Sequence, residues 1–186
     1  MKNIIKYLIL TSLFISPIFW SGCDSINKLP LNVATEFPFT LQGAALTHTD
    51  QFCMDDSETY LDYQGDIRAL TLLRVIYRTA DEINSVIPTD LQGTFEVIIR
   101  RNDTNETMIH KIVEDFRPMD YKKPNKPYNL KLTALEISAV NEFLDANMQN
   151  NPCFMGTVNL LNVQNATLDN TLIGTVDVLI EAEIEL

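Results

Sequence analysis

The chain is short of the residues that most active-site chemistry needs. Its 186 residues include two histidines, three cysteines, one tryptophan and six glycines. The glycines are scattered, and the sequence contains neither the Gly-x-Ser-x-Gly elbow of a serine hydrolase nor a glycine-rich phosphate loop. With two histidines, a Ser-His-Asp arrangement has few candidates, His48 near Asp50 or His110. Neither histidine stands at ligand spacing from a cysteine, so the sequence argues for no metal centre, no cofactor and no catalytic residue. Basic residues are also scarce: 14 Lys and Arg against 25 Asp and Glu give a net charge of −11. That balance repels phosphate backbones and makes nucleic acid a poor partner. The largely apolar run near the N-terminus, Tyr7 to Trp20, carries Pro17 and falls short of the roughly 20 residues a spanning helix requires.

What the N-terminus does have is signal-peptide grammar over residues 1–22. Lys2 and Lys6 precede the apolar run, and the small residues Ser21 and Gly22 close it before Cys23. The ending Ser21-Gly22-Cys23 resembles a bacterial lipobox, with Trp20 where that family usually has Leu. The resemblance implies a diacylglyceryl group on the Cys23 thiol, cleavage before Cys23, and anchorage to the inner or outer membrane of a bacterial envelope. Cutting there removes Lys2 and Lys6 but no acid, moving the net charge from −11 to −13. It also removes Trp20, the sole tryptophan, and with it the flat indole platform many sugar-binding surfaces use. With Cys23 assigned to lipid, Cys53 and Cys153 remain in an oxidising compartment and are expected to pair.

The rest reads as a tether over residues 23–35 and one β-rich domain over residues 36–186. Phe37, Phe39 and Leu41 alternate with polar residues as a strand does, and Pro38 assigns that strand to a sheet edge. Ile67 to Thr79 predicts a long strand with Ile67, Ala69, Thr71, Leu73, Val75 and Tyr77 facing the core. Gly93 to Arg101 and Thr107 to Phe116 predict a hairpin about Asn102-Asp103-Thr104-Asn105. Tyr128 to Leu132 predicts a short strand, and Cys153 to Val163 with Thr171 to Leu186 a closing hairpin. Asp55 to Glu58 and Thr133 to Glu136 have capping-box spacing. They predict helices over about Asp56 to Gln64 and from Thr133 to about Asn147, the second burying Ile137, Val140, Phe143 and Leu144. Glu181, Glu183 and Glu185 share one face of the last strand, and Arg68, Arg74 and Arg78 one face of another, a pattern for cross-strand ion pairs.

About seven strands with two short capping helices predict an antiparallel β-sandwich. In order, FPFTLQG, GDIRALTLLRVIYR, LTALEISAVNEFLDA and GTVDVLIEAEIEL resemble the immunoglobulin-like sandwiches of the LEA-type-2 or WHy kind. The resemblance implies that fold and a loose association with stress protection or membrane-side binding, and it carries over no catalytic residue.

One segment departs from the acidic background. FRPMDYKKPNKPY, Phe116 to Tyr128, sets Arg117, Lys122, Lys123 and Lys126 beside Met119 and Tyr121. Aromatic, Met and Arg side chains are enriched in interface cores, so this segment reads as a partner-binding loop. The competing reading is a proline-stiffened crossover whose aromatics pack on the rim of the sandwich. The expected function is a non-enzymatic binding module on an envelope membrane, its partner an envelope protein. The alternatives are a carrier for a lipid or other apolar ligand and, third, a hydrolase built on His48 or His110.

Overall fold

The computed structural model of the chain describes residues 28–42, 46–80, 90–165 and 171–185. The signal peptide, Cys23 and the tether up to residue 27 lie outside the described residues. Among the described residues, eight strands form two four-stranded antiparallel sheets: β1 (Lys28–Gln42), β2 (Thr47–Cys53), β3 (Ile67–Thr79), β4 (Gln92–Arg101), β5 (Thr107–Phe116), β6 (Tyr128–Leu130), β7 (Cys153–Gln164) and β8 (Thr171–Glu185). The sheet orders are β1-β8-β3-β6 and β2-β7-β4-β5. The chain changes sheet at every connection except β4 to β5.

This order corrects the expected immunoglobulin-like arrangement. An immunoglobulin fold places its strands ABED against CFG, whereas here the first and last strands are neighbours, as in an eight-stranded jelly roll. The closing hairpin is corrected with it, because β7 pairs with β2 and β4 while β8 pairs with β1 and β3. Period-two alternation shows which face of a strand is buried, and two strands with equally apolar inner faces satisfy it in either sheet.

β1 begins at Lys28, so residues 28–35, expected in the tether, belong to the sandwich. Val33 and Thr35 continue inward the alternation that Phe37, Phe39 and Leu41 announce. The Thr35 hydroxyl also donates to the Cys53 carbonyl at 2.8 Å, tying β1 to β2 across the sheets. As expected, β1 is an edge strand; β8 is a central one, with Leu172, Val176, Val178, Ile180, Ala182 and Ile184 buried.

β3 departs from its expected pattern for a specific reason. Its register against β8 shifts between Ile67 and Ala69 and again between Leu72 and Arg74. Each extra residue reverses the alternation. Leu70 and Leu72 therefore point inward between the two shifts, and Leu73, expected in the core, is exposed. The β4–β5 hairpin forms as expected, and Asn105 takes a φ of 60°, a left-handed conformation that Asn tolerates well.

The first helix is shorter than expected: a 3-10 turn over Met54–Asp56 and then α1 (Glu58–Tyr63). The first capping box is shifted as well, since the Asp56 carboxylate, rather than that of Glu58, accepts from the Cys53 amide at 2.7 Å. The second box forms as read: Thr133 N–H donates to Glu136 and Glu136 N–H to the Thr133 hydroxyl, starting α2 (Ala134–Asn147). α2 buries Val140, Phe143 and Leu144 and closes one side of the sandwich. Asn141 accepts from the Leu72 amide of β3, and Glu136 from the His110 amide of β5, so one helix supplies a side-chain acceptor to each sheet. Among the described residues no helix is long and apolar enough to cross a membrane.

Candidate functional site

The crossover from β5 to β6 is built on a bulge. Three residue steps along β5, Val113 to Phe116, oppose two along β4, Phe95 to Gly93. Asp115 absorbs the extra step with a φ of 51°. Without the bulge Phe116 would face solvent; with it, the ring turns into the core and is 2 % exposed.

From Phe116 the aromatics continue outward as a ladder. Phe95 and Phe116 stack at 4.4 Å between ring centroids, and Phe116 and Tyr121 at 5.2 Å. Tyr128 meets Tyr121 edge-on at 5.1 Å, and Tyr77 closes edge-on against Phe116 at 5.0 Å. Such pairs contribute about 0.5–1.5 kcal/mol each beyond burial.

Polar contacts fix the backbone that carries the rings. The Thr79 hydroxyl donates to the Pro118 carbonyl at 2.6 Å, so its contact with the Tyr77 hydroxyl at 2.7 Å uses the tyrosine proton. Burial raises Tyr77 far above the ordinary phenol range and keeps that donor protonated. Burial is also the first cause of the upward shift of Tyr121, followed by its neighbours Tyr128 and Asp120. A 3-10 turn runs over Pro118–Tyr121, Lys122 forms a parallel bridge to Thr79, and the Lys123-Pro124 peptide is cis. The Asn125 amide then donates to the Lys122 carbonyl at 2.9 Å.

The loop residues named from sequence thus separate. Phe116, Tyr121 and Tyr128 pack inward, as the crossover reading expects, and Met119 is half-buried. Lys122 is half-buried and engaged, while Arg117, Lys123 and Lys126 are exposed. The Arg117 guanidinium donates to the Gln92 side chain at 3.3 Å, beside a polar hollow of about 220 Å³ whose wall includes Thr94, Glu114, Asn162 and Gln164. Thr79, Tyr77 and Gln92 were not legible as parts of this site, because each lies at least 25 residues away from its partner in the loop.

Cys53 and Cys153 form the expected disulfide and are direct partners in the β2–β7 register. Cys53, Asp55 and Asp56 bring potential ligand atoms within 4.8 Å of one another. The Cys53 sulfur is already bound to Cys153 and the Asp56 carboxylate holds the Cys53 amide, so both groups have structural work.

The two histidines lie apart. His48 is on β2 with its ring 5.7 Å from that of Phe37. His110 is exposed on β5, and its Nε2 meets Glu96 at 2.7 Å. Glu96 also accepts from Asn159 at 2.6 Å, and that bond, followed by the one from His110, lowers its pKa. Of the expected ion pairs, Arg68 meets Glu185; Arg78 meets Asp177 of that same strand, β8, instead, and Lys28 joins Glu183.

No protein-family model matches the chain, and comparison with curated proteins finds no match. Among solved structures, the chain is similar to desmodium yellow mottle tymovirus at 10% identity, covering 85% of this chain and 84% of that one with a TM-score of 0.38. Tobacco necrosis virus is similar at 11% identity, with 86% and 97% covered and a TM-score of 0.37. Turnip yellow mosaic virus at 100 K gives 10% identity, 85% and 96% covered, and a TM-score of 0.32.

Proposed function

We propose that this chain is a non-enzymatic lipoprotein of the bacterial envelope, tethered through Cys23, whose sandwich domain binds a macromolecular partner through the β5–β6 crossover. The observation that carries the reading is the ladder Phe95, Phe116, Tyr121, which anchors the loop while Arg117, Lys123 and Lys126 stay exposed. A contact surface held in one conformation before binding loses less entropy when its partner arrives. The cations stand out against a net charge of −11, so they attract what the rest of the surface repels.

The tether rests on the lipobox-like Ser21-Gly22-Cys23. Acyl chains contributing about 0.8 kcal/mol per buried methylene would hold the domain durably on a bilayer once two or more are present. Metabolic acyl labelling with membrane pelleting, on wild type and Cys23→Ala, tests it. Wild type is expected to be labelled and to pellet, and Cys23→Ala to lose the label. A soluble, unlabelled wild type would refute the anchor.

A further inference from the structure

We infer that the crossover faces away from the anchoring membrane and meets an acidic protein surface rather than lipid headgroups, an inference that rests on the proposed anchor at Cys23. The strand registers carry it. β1 starts at Lys28, level with Glu185 and, through Ile184, with Ile67. The other end of the sandwich is marked by Phe39, which pairs with Gly174; Gly174 pairs with Thr79, and Thr79 bridges Lys122. Tyr128 lies level with Tyr77, and β6 runs antiparallel to β3, so residues 122–127 cap that far end. From Lys28 to Phe39 the strand rises about 36 Å. Cys23 is five residues before Lys28, and five residues of any conformation span at most about 18 Å. A domain standing on its tether therefore holds Lys123 and Lys126 at the end remote from the bilayer.

Charge selects the occupant. Near the tether Lys28 and Arg68 are paired with Glu183 and Glu185, so the anchored end offers little free positive charge to headgroups. At the far end Arg117, Lys123 and Lys126 are exposed on a fixed frame and outnumber Asp120, the exposed acid of the same segment, which suits a carboxylate-rich protein surface.

The absence of tryptophan after residue 20 supplies the test, since any introduced Trp is then a unique fluorescent reporter in the processed protein. Leu29→Trp marks the tether end and Lys126→Trp the crossover. Each processed protein is reconstituted into vesicles containing dansyl-labelled phosphatidylethanolamine. Energy transfer from position 29 is expected to exceed that from position 126 several-fold; equal transfer, or more from 126, overturns the orientation. A second arm holds the same variants, beginning after Cys23, on nickel-chelating vesicles through an N-terminal His tag. If native protein fails to join vesicles while this arm keeps the gradient, the anchor reading fails and the orientation stands. Immobilised polyglutamate is the partner probe. Wild type is expected to be retained at low salt and Lys123→Glu/Lys126→Glu to be lost several-fold, with melting temperature as a folding control. Equal retention, or none by wild type, overturns the acidic-partner inference.

Discussion

Cys53 and Cys153 stand directly opposite each other at the start of the β2–β7 pairing, 100 residues apart in sequence and 4.0 Å apart at their Cα atoms. The bond closes a loop that contains α1, β3, β4, β5, β6 and α2. A cross-link of that span removes unfolded-state entropy worth about 4.7 kcal/mol in the chain-entropy model. Replacing both cysteines by Ala is expected to lower stability by about 2–5 kcal/mol, measured by urea unfolding. An unchanged midpoint would show that the strand pairing suffices without the bond.

Gly156 and Gly174 make room for the two phenylalanines at the centre of β1. A Cβ on Gly156 would come within 2.8 Å of the Phe37 ring, and one on Gly174 within 2.7 Å of Phe39 and 2.8 Å of the Arg78 carbonyl. Gly156→Ala and Gly174→Ala are each expected to destabilise by about 1–3 kcal/mol. Gly65→Ala is the control, because nothing lies within 4 Å of its Cβ position. Thermal unfolding of the three variants separates a packing effect from a general cost of replacing glycine.

Two carboxylates on or beside β5 make stability fall in acid. Glu96 is held low by Asn159 and His110. Burial alone would raise Glu136, but the bonds from Lys111, Thr133 and His110 together outweigh it and the net shift is downward. A carboxylate whose folded pKa is depressed contributes its full stabilisation above its unfolded value, about 4.3, and loses it as pH falls through the folded value. The urea midpoint is therefore expected to drop as pH falls below about 4.3, and Glu96→Gln to flatten that slope. A variant with the wild-type slope would remove Glu96 from this explanation.

The parts of the fold that could be read from sequence are those with an unbroken period. β8 alternates cleanly and buries the residues it announces, and Thr133 with Glu136 starts α2 as spaced. β3 was misread over Leu70 to Leu73 because two extra residues reverse its faces, and nothing in that apolar run marks them. The sheet order was hidden for another reason: β7 and β8 are consecutive and equally apolar, and their assignment to opposite sheets follows from pairing with β2, β4, β1 and β3. In the crossover, the cations and aromatics were legible by composition. Their division into packed rings and exposed charges depends on the bulge at Asp115 and on Thr79, 39 residues from Pro118.

The proposed role of the crossover is tested most directly by replacing the exposed Arg117, Lys123 and Lys126 together with Ala. The quantities measured are melting temperature and crosslinking to the partner in the native envelope. The rings that hold the loop are untouched, so the melting temperature is expected to move by no more than about 2 °C while crosslinking is lost. A collapse in melting temperature, or crosslinking that persists in a folded variant, would contradict a contact role and leave the segment as a structural crossover.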